Sequence, residues 1–251
     1  MRYLSLFLLT LLLLGCGSGS QTQEDYENPT SAYSLNLERY INPVTCDTVI
    51  EKVTQESTIE ICYDYGDRLA HYVYYGLDSD YIDAVNIKER PWFYPEPALP
   101  EIYRAKYSDY SRSGYDRGHI APDADFDYDQ SDLEQVYTMA NVMPQDPYVN
   151  EFLWSDLERY ERNVTRVYGR LNVLVGIVTG ENPPRIGDSG VAVPEGFWKI
   201  LWNTSARFKE CYYYDNYVIG DTTLDRFDLH RVSCEILLKR FTSARPSFDR
   251  Y

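Results

Sequence analysis

Hydrophobic and polar positions along the chain predict several β-strands in its central part. Residues 58–63 and 70–75 are rich in β-branched and aromatic side chains and are separated by the turn-like pair Gly66-Asp67, so they predict a β-hairpin. Two later apolar runs, 171–179 and 197–202, are bounded by glycine and proline residues and predict buried strands. This part of the pattern therefore indicates a sheet.

Helical periodicity is found between these strands. Apolar residues recur at roughly helical spacing and predict a helix over 149–166; they are Phe152, Leu153, Leu157, Tyr160 and Val164. A shorter helix is predicted over 133–139, whereas 141–145 has the composition of a loop. Four prolines between residues 90 and 113 exclude a long regular element there. Strands combined with one prominent helix predict an α+β fold.

The N-terminus has the pattern of an exported lipoprotein. Residues 4–14 are an apolar run too short to span a bilayer, and they follow a single arginine, Arg2. The run ends in Leu13-Leu14-Gly15-Cys16, which resembles the lipobox of bacterial lipoproteins, in which the cysteine is lipidated. We therefore predict a signal peptide over 1–15 and a lipid anchor at Cys16. The alternative is an ordinary secretory signal with a cysteine nearby.

The organisation that follows is simple. Residues 16–33 are small and polar, which predicts a flexible tether, and 34–251 are predicted to form one folded domain. Gly17 stands where an aspartate often marks retention at the inner membrane, which favours the outer membrane or the cell surface. Apart from Cys16 the chain has four cysteines, an even number that predicts two disulfides in an exported protein. Three pairings are possible, and we expect the two near ones, Cys46–Cys62 and Cys211–Cys234.

Charge and composition narrow the possible partners. The formal net charge of −15 argues against a broad basic face, so any binding of nucleic acid must be local and assisted by cations. Tyrosine is abundant, with 25 residues, and strand packing explains this abundance better than a stacking platform for bases. The remaining composition, 44% hydrophobic and 25% charged, is that of a globular protein.

The chemically informative segment is residues 115–122, YDRGHIAP. It contains Asp116, Arg117 and His119, and His119 is one of only three histidines in the chain. Taken alone, this segment could be a turn with a salt bridge. The predicted helix adds a row with mixed chemistry at i, i+4, i+8 and i+12: Asn150, Trp154, Glu158 and Arg162.

Together, these motifs closely resemble the DNA/RNA non-specific endonucleases of the ββα-metal type. The resemblance rests on the DRGH segment, on the Asn141-Val142-Met143-Pro144-Gln145 segment, and on the helix row, and it extends to the strand around Phe197-Trp198-Lys199. It covers roughly residues 60 to 205. It implies a ββα-metal nuclease fold, with a central antiparallel sheet, a ββα active-site motif and flanking helices.

The resemblance also implies roles for single residues. His119 would be the general base that activates water, and Asn150 the single protein ligand of Mg²⁺, with Mn²⁺ as a possible substitute. A lone amide ligand is chemically sensible because Mg²⁺ dehydrates reluctantly and keeps several waters. An imidazole accepts a proton near neutral pH.

Four further residues take supporting roles in the same comparison. Glu158 would orient waters around the ion, Arg117 and Arg162 would neutralise phosphate charge, and Asn141 would support the histidine loop. Asp116 is expected behind the motif, as a structural partner or as a metal ligand. His71 and His230 lie outside every matched motif, so we expect them to be structural.

One feature departs from the family pattern, and one acidic segment raises a separate question. Many members have an arginine on the strand before the DRGH segment, where this chain has His71, so one phosphate contact is missing or supplied elsewhere. Five aspartates lie between residues 123 and 132. They could form a second cation site, possibly for Ca²⁺, but they lack the glycine and terminal glutamate of an EF-hand, which favours a solvated acidic loop.

The leading interpretation is an exported, lipid-anchored, Mg²⁺-dependent endonuclease that hydrolyses DNA and RNA without strong sequence specificity. The alternative is a non-catalytic surface binding lipoprotein on a nuclease scaffold. The intact set of His119, Asn150 and Glu158 favours the enzyme. A zinc or two-histidine phosphatase is disfavoured, because the chain has few histidines and no paired-ligand spacing.

Overall fold

The structure is a computed structural model that describes residues 45–218 and 222–243. The predicted signal peptide, the lipidated Cys16 and the tether all lie outside these residues. Within the described ranges, no helix combines the length and the apolar character needed to cross a membrane.

Eleven strands and three α-helices make up the regular part of these residues. The strands are β1 (Thr48–Val53), β2 (Thr58–Asp64), β3 (Leu69–Asp78), β4 (Asp116–His119), β5 (Val142–Gln145), β6 (Arg170–Val178), β7 (Arg185–Ile186), β8 (Val191–Ala192), β9 (Gly196–Asn203), β10 (Phe208–Asp215) and β11 (Arg231–Val232). The α-helices are α1 (Gln130–Val136), α2 (Ser155–Tyr168) and α3 (Cys234–Ser243). A π-helical segment, Val149–Trp154, leads into α2. Short 3₁₀ turns occupy Glu101–Tyr103, Tyr107–Tyr110, Asp123–Asp125, Met139–Asn141, Thr222–Leu224 and Phe227–His230.

A seven-stranded antiparallel sheet organises the fold. Its strand order is β1-β2-β3-β6-β9-β10-β11, and two separate two-stranded ribbons are formed by β4 with β5 and by β7 with β8. The predicted hairpin is β2 with β3, and the two predicted buried strands are β6 and β9, paired with each other. The expected central antiparallel sheet is confirmed.

Each face of the sheet packs against a separate hydrophobic cluster. On one face, alternate residues of β3, β6 and β9, such as Val73, Val175 and Leu201, join the large core that includes Leu157 of α2. On the other face, Tyr72, Leu174, Ile200 and Trp202 form a smaller cluster with Leu237 of α3. The β4–β5 ribbon and α2 therefore lie on one side of the sheet, and α3 lies on the other.

Both expected disulfides are present, Cys46–Cys62 and Cys211–Cys234. Cys62 lies on β2 and Cys211 on β10, whereas Cys46 lies just before β1 and Cys234 is the first residue of α3. The predicted pairing is confirmed. The two bonds tie the N-terminal segment and α3 to the smaller core cluster.

The abundant tyrosines serve mainly as packing residues of the sheet. Tyr63, Tyr75, Tyr212 and Tyr214 are among the largest fully buried side chains. Each hydroxyl has an acceptor inside the protein; for example, the Tyr75 hydroxyl donates to Glu161 Oε1 at 2.7 Å.

Two sequence predictions need correction. The short helix α1 begins at Gln130, three residues before the predicted start, because the Asp129 side chain accepts hydrogen bonds from the backbone N–H groups of Ser131 and Asp132 and so caps it. The predicted loop at 141–145 contains strand β5, which pairs with β4 in antiparallel register. Pro144 is tolerated there because a two-stranded ribbon leaves one edge of each strand unpaired.

Candidate active site

The DRGH segment forms strand β4, and its partner β5 explains the glycine. In the register of the ribbon, Gly118 lies opposite Met143 and His119 lies opposite Val142. A Cβ atom at position 118 would lie 1.6 Å from Gln145 Oε1, so only glycine allows the Gln145 side chain to pack there. Strands β4 and β5, together with α2, are the ββα motif that the sequence predicted.

His119 ends β4 inside an aromatic enclosure. Its ring centroid lies 5.0 Å from that of Phe93 and 4.9 Å from that of Tyr137. The Nε2 atom is buried, and no group in the described part of the chain forms a hydrogen bond with it. Burial lowers the pKa of His119 below its usual value, Asp123 opposes this shift, and Arg90 reinforces it. A neutral imidazole with an unused nitrogen is therefore expected at neutral pH.

Asn141 holds the segment that follows His119. Its Nδ2 donates to the carbonyl oxygens of Ala121 and Val136, both at 2.9 Å, and its Oδ1 accepts from the Ala121 N–H at 2.9 Å. The residue is only 1% exposed. Two of these bonds hold Ala121, two residues after the histidine, and the third joins the same amide to the last residue of α1, Val136. The supporting role of Asn141 stays a prediction.

Asn150 lies on the π-helical segment and faces the same ribbon. Its Nδ2 donates to Asp116 Oδ2 at 3.0 Å. This bond fixes the orientation of the amide and leaves the Oδ1 atom to accept another partner. Of the two roles considered for Asp116, structural partner and metal ligand, this hydrogen bond favours the structural partner. An amide oxygen oriented in this way is a suitable ligand for a hard cation such as Mg²⁺.

Glu158 lies two turns into the helical region, beside a buried set of charges. Burial raises the pKa of its carboxyl to about 8, Lys199 and Arg162 oppose this shift, and Glu161 and Asp123 add to it. Asp123 thus acts electrostatically on both Glu158 and His119. The two residues, which are 39 positions apart in the sequence (158 − 119), are brought into one electrostatic environment.

The two predicted phosphate-binding arginines have different surroundings. Arg162 Nη1 forms an ion pair with Asp125 Oδ1 at 2.8 Å, and its side chain is 15% exposed. The Arg117 guanidinium lies over the ring of Tyr107, 3.7 Å from its centroid. Arg117 is therefore positioned by an aromatic ring, which leaves its hydrogen-bond donors less committed than those of Arg162.

The residues predicted to share one row of the helix do not all lie at the candidate site. Trp154 is buried, and its ring packs edge-on against Phe197 and Tyr214 with centroids 4.8 and 5.6 Å away, so it belongs to the core. Phe152, predicted on the apolar stripe, is 54% exposed. The π-helical segment explains both departures, because its wider i→i+5 turn shifts the angular phase of residues before α2.

Arg90 is a site residue that sequence reasoning missed. Its Nε lies 3.1 Å from Asp123 Oδ2 and its Nη2 lies 2.9 Å from Asp127 Oδ2, and its charge acts on His119. The arginine expected on the strand is absent, and Arg90 lies in the proline-rich segment before β4. The only sequence signal was an arginine beside two aromatic residues, Trp92 and Phe93.

The aspartates between residues 123 and 132 form neither a solvated loop nor a shared cation site. Asp125, Asp127 and Asp132 are buried. Their carboxylates have separate partners, and in the described ranges no group of three or more His, Cys, Asp or Glu side chains is placed to hold a metal ion. Asp129 is the N-cap of α1.

The two other histidines have structural partners, as expected. His71 Nε2 lies 2.9 Å from Asp64 Oδ2. His230 Nε2 lies 3.0 Å from Asp225 Oδ1, and its ring stacks on Tyr214 with centroids 4.3 Å apart. His119 differs from both because its buried Nε2 lacks a protein partner in the described residues.

Comparisons with known proteins agree with this arrangement. A sequence model of the family described as DNA/RNA non-specific endonuclease matches residues 38–236. Mitochondrial endonuclease G of Homo sapiens is 31% identical over 151 residues, which cover 56% of this chain and 51% of that protein. A nuclease of Nostoc sp. is 34% identical over 142 residues, which cover 56% of this chain and 50% of that protein. The chain spans about half the length of these relatives.

A solved structure shows the same architecture. A chain in the crystal structure of the EndoG/EndoGI complex superposes with a TM-score of 0.67 and 22% identity, and the match covers 87% of this chain and 93% of that chain. At this level of identity the similarity concerns the fold.

Proposed function

Because the chain belongs to the DNA/RNA non-specific endonuclease family and has the ββα-metal nuclease fold, we propose that it hydrolyses phosphodiester bonds in DNA and RNA without strong sequence specificity. One observation carries the proposal: a buried His119 with an unpartnered Nε2 ends the same strand whose Asp116 orients the amide of Asn150. A base and a ligand for a hard cation are thereby held on one rigid ribbon.

His119 would act as the general base. Its lowered pKa keeps the imidazole neutral at pH 7, so Nε2 can accept a proton from the attacking water. The rings of Phe93 and Tyr137 limit the orientations of the imidazole, and the Asn141 hydrogen bonds fix the chain behind it. The proton acceptor is therefore positioned before substrate arrives.

The enzyme is proposed to depend on a divalent cation, Mg²⁺ or Mn²⁺, held on the protein by the Asn150 Oδ1 atom. When bound, such an ion supplies Lewis-acid stabilisation of the charge that develops on the phosphate. Glu158, about two helical turns after Asn150, would orient waters around the ion, because its carboxylate can accept their hydrogen bonds. A neighbouring cation favours the ionised form of Glu158 over the protonated form that burial favours.

Arginine residues would receive the phosphate. Arg117 presents hydrogen-bond donors from the same strand as His119, Arg162 lies on the helix beside Glu158, and Arg90 adds a third cation. Contacts to phosphate carry no base information, which explains how one site could accept both DNA and RNA. These arginines would also supply the local, cation-assisted binding that a chain of net charge −15 needs.

The enzyme is further proposed to be exported and lipid-anchored at Cys16, on the outer membrane or the cell surface, with 16–33 as a tether and 34–251 as the nuclease domain. The lipobox-like segment after the apolar run and the two disulfides support this location, since disulfides form in oxidising compartments. Labelling cells with radioactive palmitate tests it: the wild type is expected to be labelled in the membrane fraction and Cys16→Ser to be unlabelled. Labelling of both, or of neither, would contradict the anchor.

Cleavage assays test the enzymatic proposal. Supercoiled plasmid and RNA are incubated with wild type, His119→Ala and the matched control His230→Ala, each in Mg²⁺ and in chelator. We expect wild type and His230→Ala to cleave both polymers only with Mg²⁺, and His119→Ala to be nearly inactive. A wild type that is inert with Mg²⁺ and with Mn²⁺ would favour the non-catalytic binding lipoprotein instead.

A further inference from the structure

Trp92 is the most exposed large hydrophobic side chain among the described residues, with 85% of its surface accessible. The other three tryptophans are buried or partly buried, with Trp154 and Trp202 at 1% and 3%. An exposed indole does not gain the free energy of burial that normally stabilises tryptophan inside a protein or an interface. An indole exposed to this extent, in a segment that also contributes Arg90 and Phe93 to the surroundings of His119, is available to contact a ligand.

Trp92 belongs to a segment whose other residues act on the candidate active site. It lies between Arg90, whose guanidinium pairs with Asp123, and Phe93, whose ring packs against His119 at 5.0 Å. Because consecutive Cα atoms are about 3.8 Å apart, Trp92 lies within reach of the nucleotides that flank a phosphate bound at His119. The ion pair of Arg90 and the packing of Phe93 hold this part of the chain on both sides of Trp92.

A groove beside the indole has the chemistry of a base-binding site. The groove has a volume of about 570 Å³. It is lined by Trp92 and Tyr94, by the amides of Gln130 and Gln135, and by Pro91, Arg90, Glu89 and Glu134. Aromatic rings offer stacking surfaces, and amides offer both donors and acceptors to the edge of a heterocycle. The two glutamates outnumber the one cation of the lining, Arg90, which is already paired with Asp123 and Asp127, so the groove disfavours a phosphate. A flat, uncharged ligand with hydrogen-bonding edges fits this lining better than an anion does.

We propose that Trp92 stacks on an unpaired nucleobase of the substrate strand, close to the scissile phosphate, and that the enzyme therefore prefers single-stranded or frayed segments. The inference rests on the proposed nuclease function and deepens it. A base inside a duplex is already stacked and paired, so only an unstacked base presents a free face to the indole. Arg90 would hold the phosphate side of the same nucleotide region, and the acidic groove would receive the base.

Tryptophan fluorescence gives a direct readout, because Trp92 is the exposed one of four. The full chain is titrated with octathymidylate in chelator at low ionic strength, where cleavage is prevented and phosphate contacts are least screened, and binding is followed in parallel by the anisotropy of a labelled oligonucleotide. We expect the oligonucleotide to quench the wild type and not Trp92→Phe, which retains an aromatic ring. Trp92→Ala should bind about 5- to 150-fold more weakly, as expected for the loss of one base–aromatic stack.

Two further measurements separate this inference from the proposed function. In steady-state cleavage of single-stranded oligonucleotide with Mg²⁺, the loss in Trp92→Ala should appear in KM, while the matched exposed-residue control Ile102→Ala, with 70% exposure outside the groove, should match the wild type. Wild-type hydrolysis of bis(p-nitrophenyl) phosphate, a diester without a base, reports on catalysis alone.

The outcomes are distinguishable. Quenching at Trp92 in a wild type that cleaves neither diester would refute the proposed function and support the base-binding site. Cleavage by the wild type, together with unchanged Trp92 fluorescence at saturating oligonucleotide, would overturn the base-binding site and leave the nuclease function intact. Equal binding by Trp92→Ala and wild type would also overturn it.

Discussion

Asn141 offers a quantitative test of how the site is held together. Replacing it with alanine removes three buried hydrogen bonds and leaves the Ala121 N–H, the Ala121 carbonyl and the Val136 carbonyl without their partner. Each such group left unsatisfied costs about 1–3 kcal/mol. Because the groups share one cavity and water can enter it, we expect values near the lower end, for a total of about 3–5 kcal/mol.

This loss is large but should not unfold the protein, because domains of this size are typically stable by about 5–15 kcal/mol. It should move the urea midpoint by about 1–2 M, given slopes of about 2–3 kcal/mol/M. The catalytic effect should be separate, since a displacement of His119 by about 1 Å is enough to lower kcat by about 100-fold. Urea unfolding and steady-state cleavage of plasmid under conditions where the variant is folded measure the two effects.

Asn203 supplies the matched control. It is also a buried asparagine whose side chain bonds to backbone groups, donating to the Arg170 carbonyl and accepting from the Ala206 N–H, but it lies away from the site. Asn203→Ala should therefore lose comparable stability and keep its kcat. The reasoning is refuted if Asn141→Ala keeps full kcat while it is destabilised like Asn203→Ala, or if Asn141→Ala is not destabilised.

Three further predictions concern individual groups. The acid limb of kcat/KM should lie below pH 6.5, because His119 must be neutral to accept a proton and burial lowers its pKa; a limb above pH 6.5 in a pH profile at saturating Mg²⁺ would contradict this. Asp116→Ala should raise the Mg²⁺ concentration for half-maximal cleavage by about 10- to 100-fold, because the Asn150 amide loses its acceptor, and an unchanged metal titration would argue against that orientation. Lys199→Met should lower the free energy of unfolding by about 3–5 kcal/mol, because the buried Glu161 loses its cationic partner and keeps a neutral one, the Tyr75 hydroxyl. The double variant Lys199→Met/Glu161→Leu should recover most of this loss in urea unfolding, and equal losses in both would be inconsistent with this account.

Much of the fold could be predicted because its signals are local. β-Branched and aromatic runs identified β2, β3, β6 and β9, and parity and proximity of the cysteines identified both disulfides. Strand β5 escaped prediction because four residues that include Pro144 have no alternating pattern long enough to distinguish a strand from a loop.

The site could be predicted only where a motif marked it. DRGH and the helix row led to His119, Asn150, Glu158 and Arg162, whose catalytic roles stay predictions. The π-helical phase shift that exposes Phe152 and buries Trp154 depends on tertiary packing and has no simple sequence signal. Arg90 and the partners of the buried aspartates were missed for a related reason. They make contacts between distant segments, and a single amino-acid sequence read by itself does not show which distant segments meet.

The measurement that tests the central claim most directly is the single-turnover rate of DNA cleavage at saturating Mg²⁺ by wild type and His119→Ala, with and without added imidazole. If His119 is the general base, the variant should be slower by about 10²- to 10⁴-fold, and imidazole should restore part of the rate while leaving the wild type unchanged. A folded His119→Ala protein that cleaves within tenfold of the wild type would contradict the account.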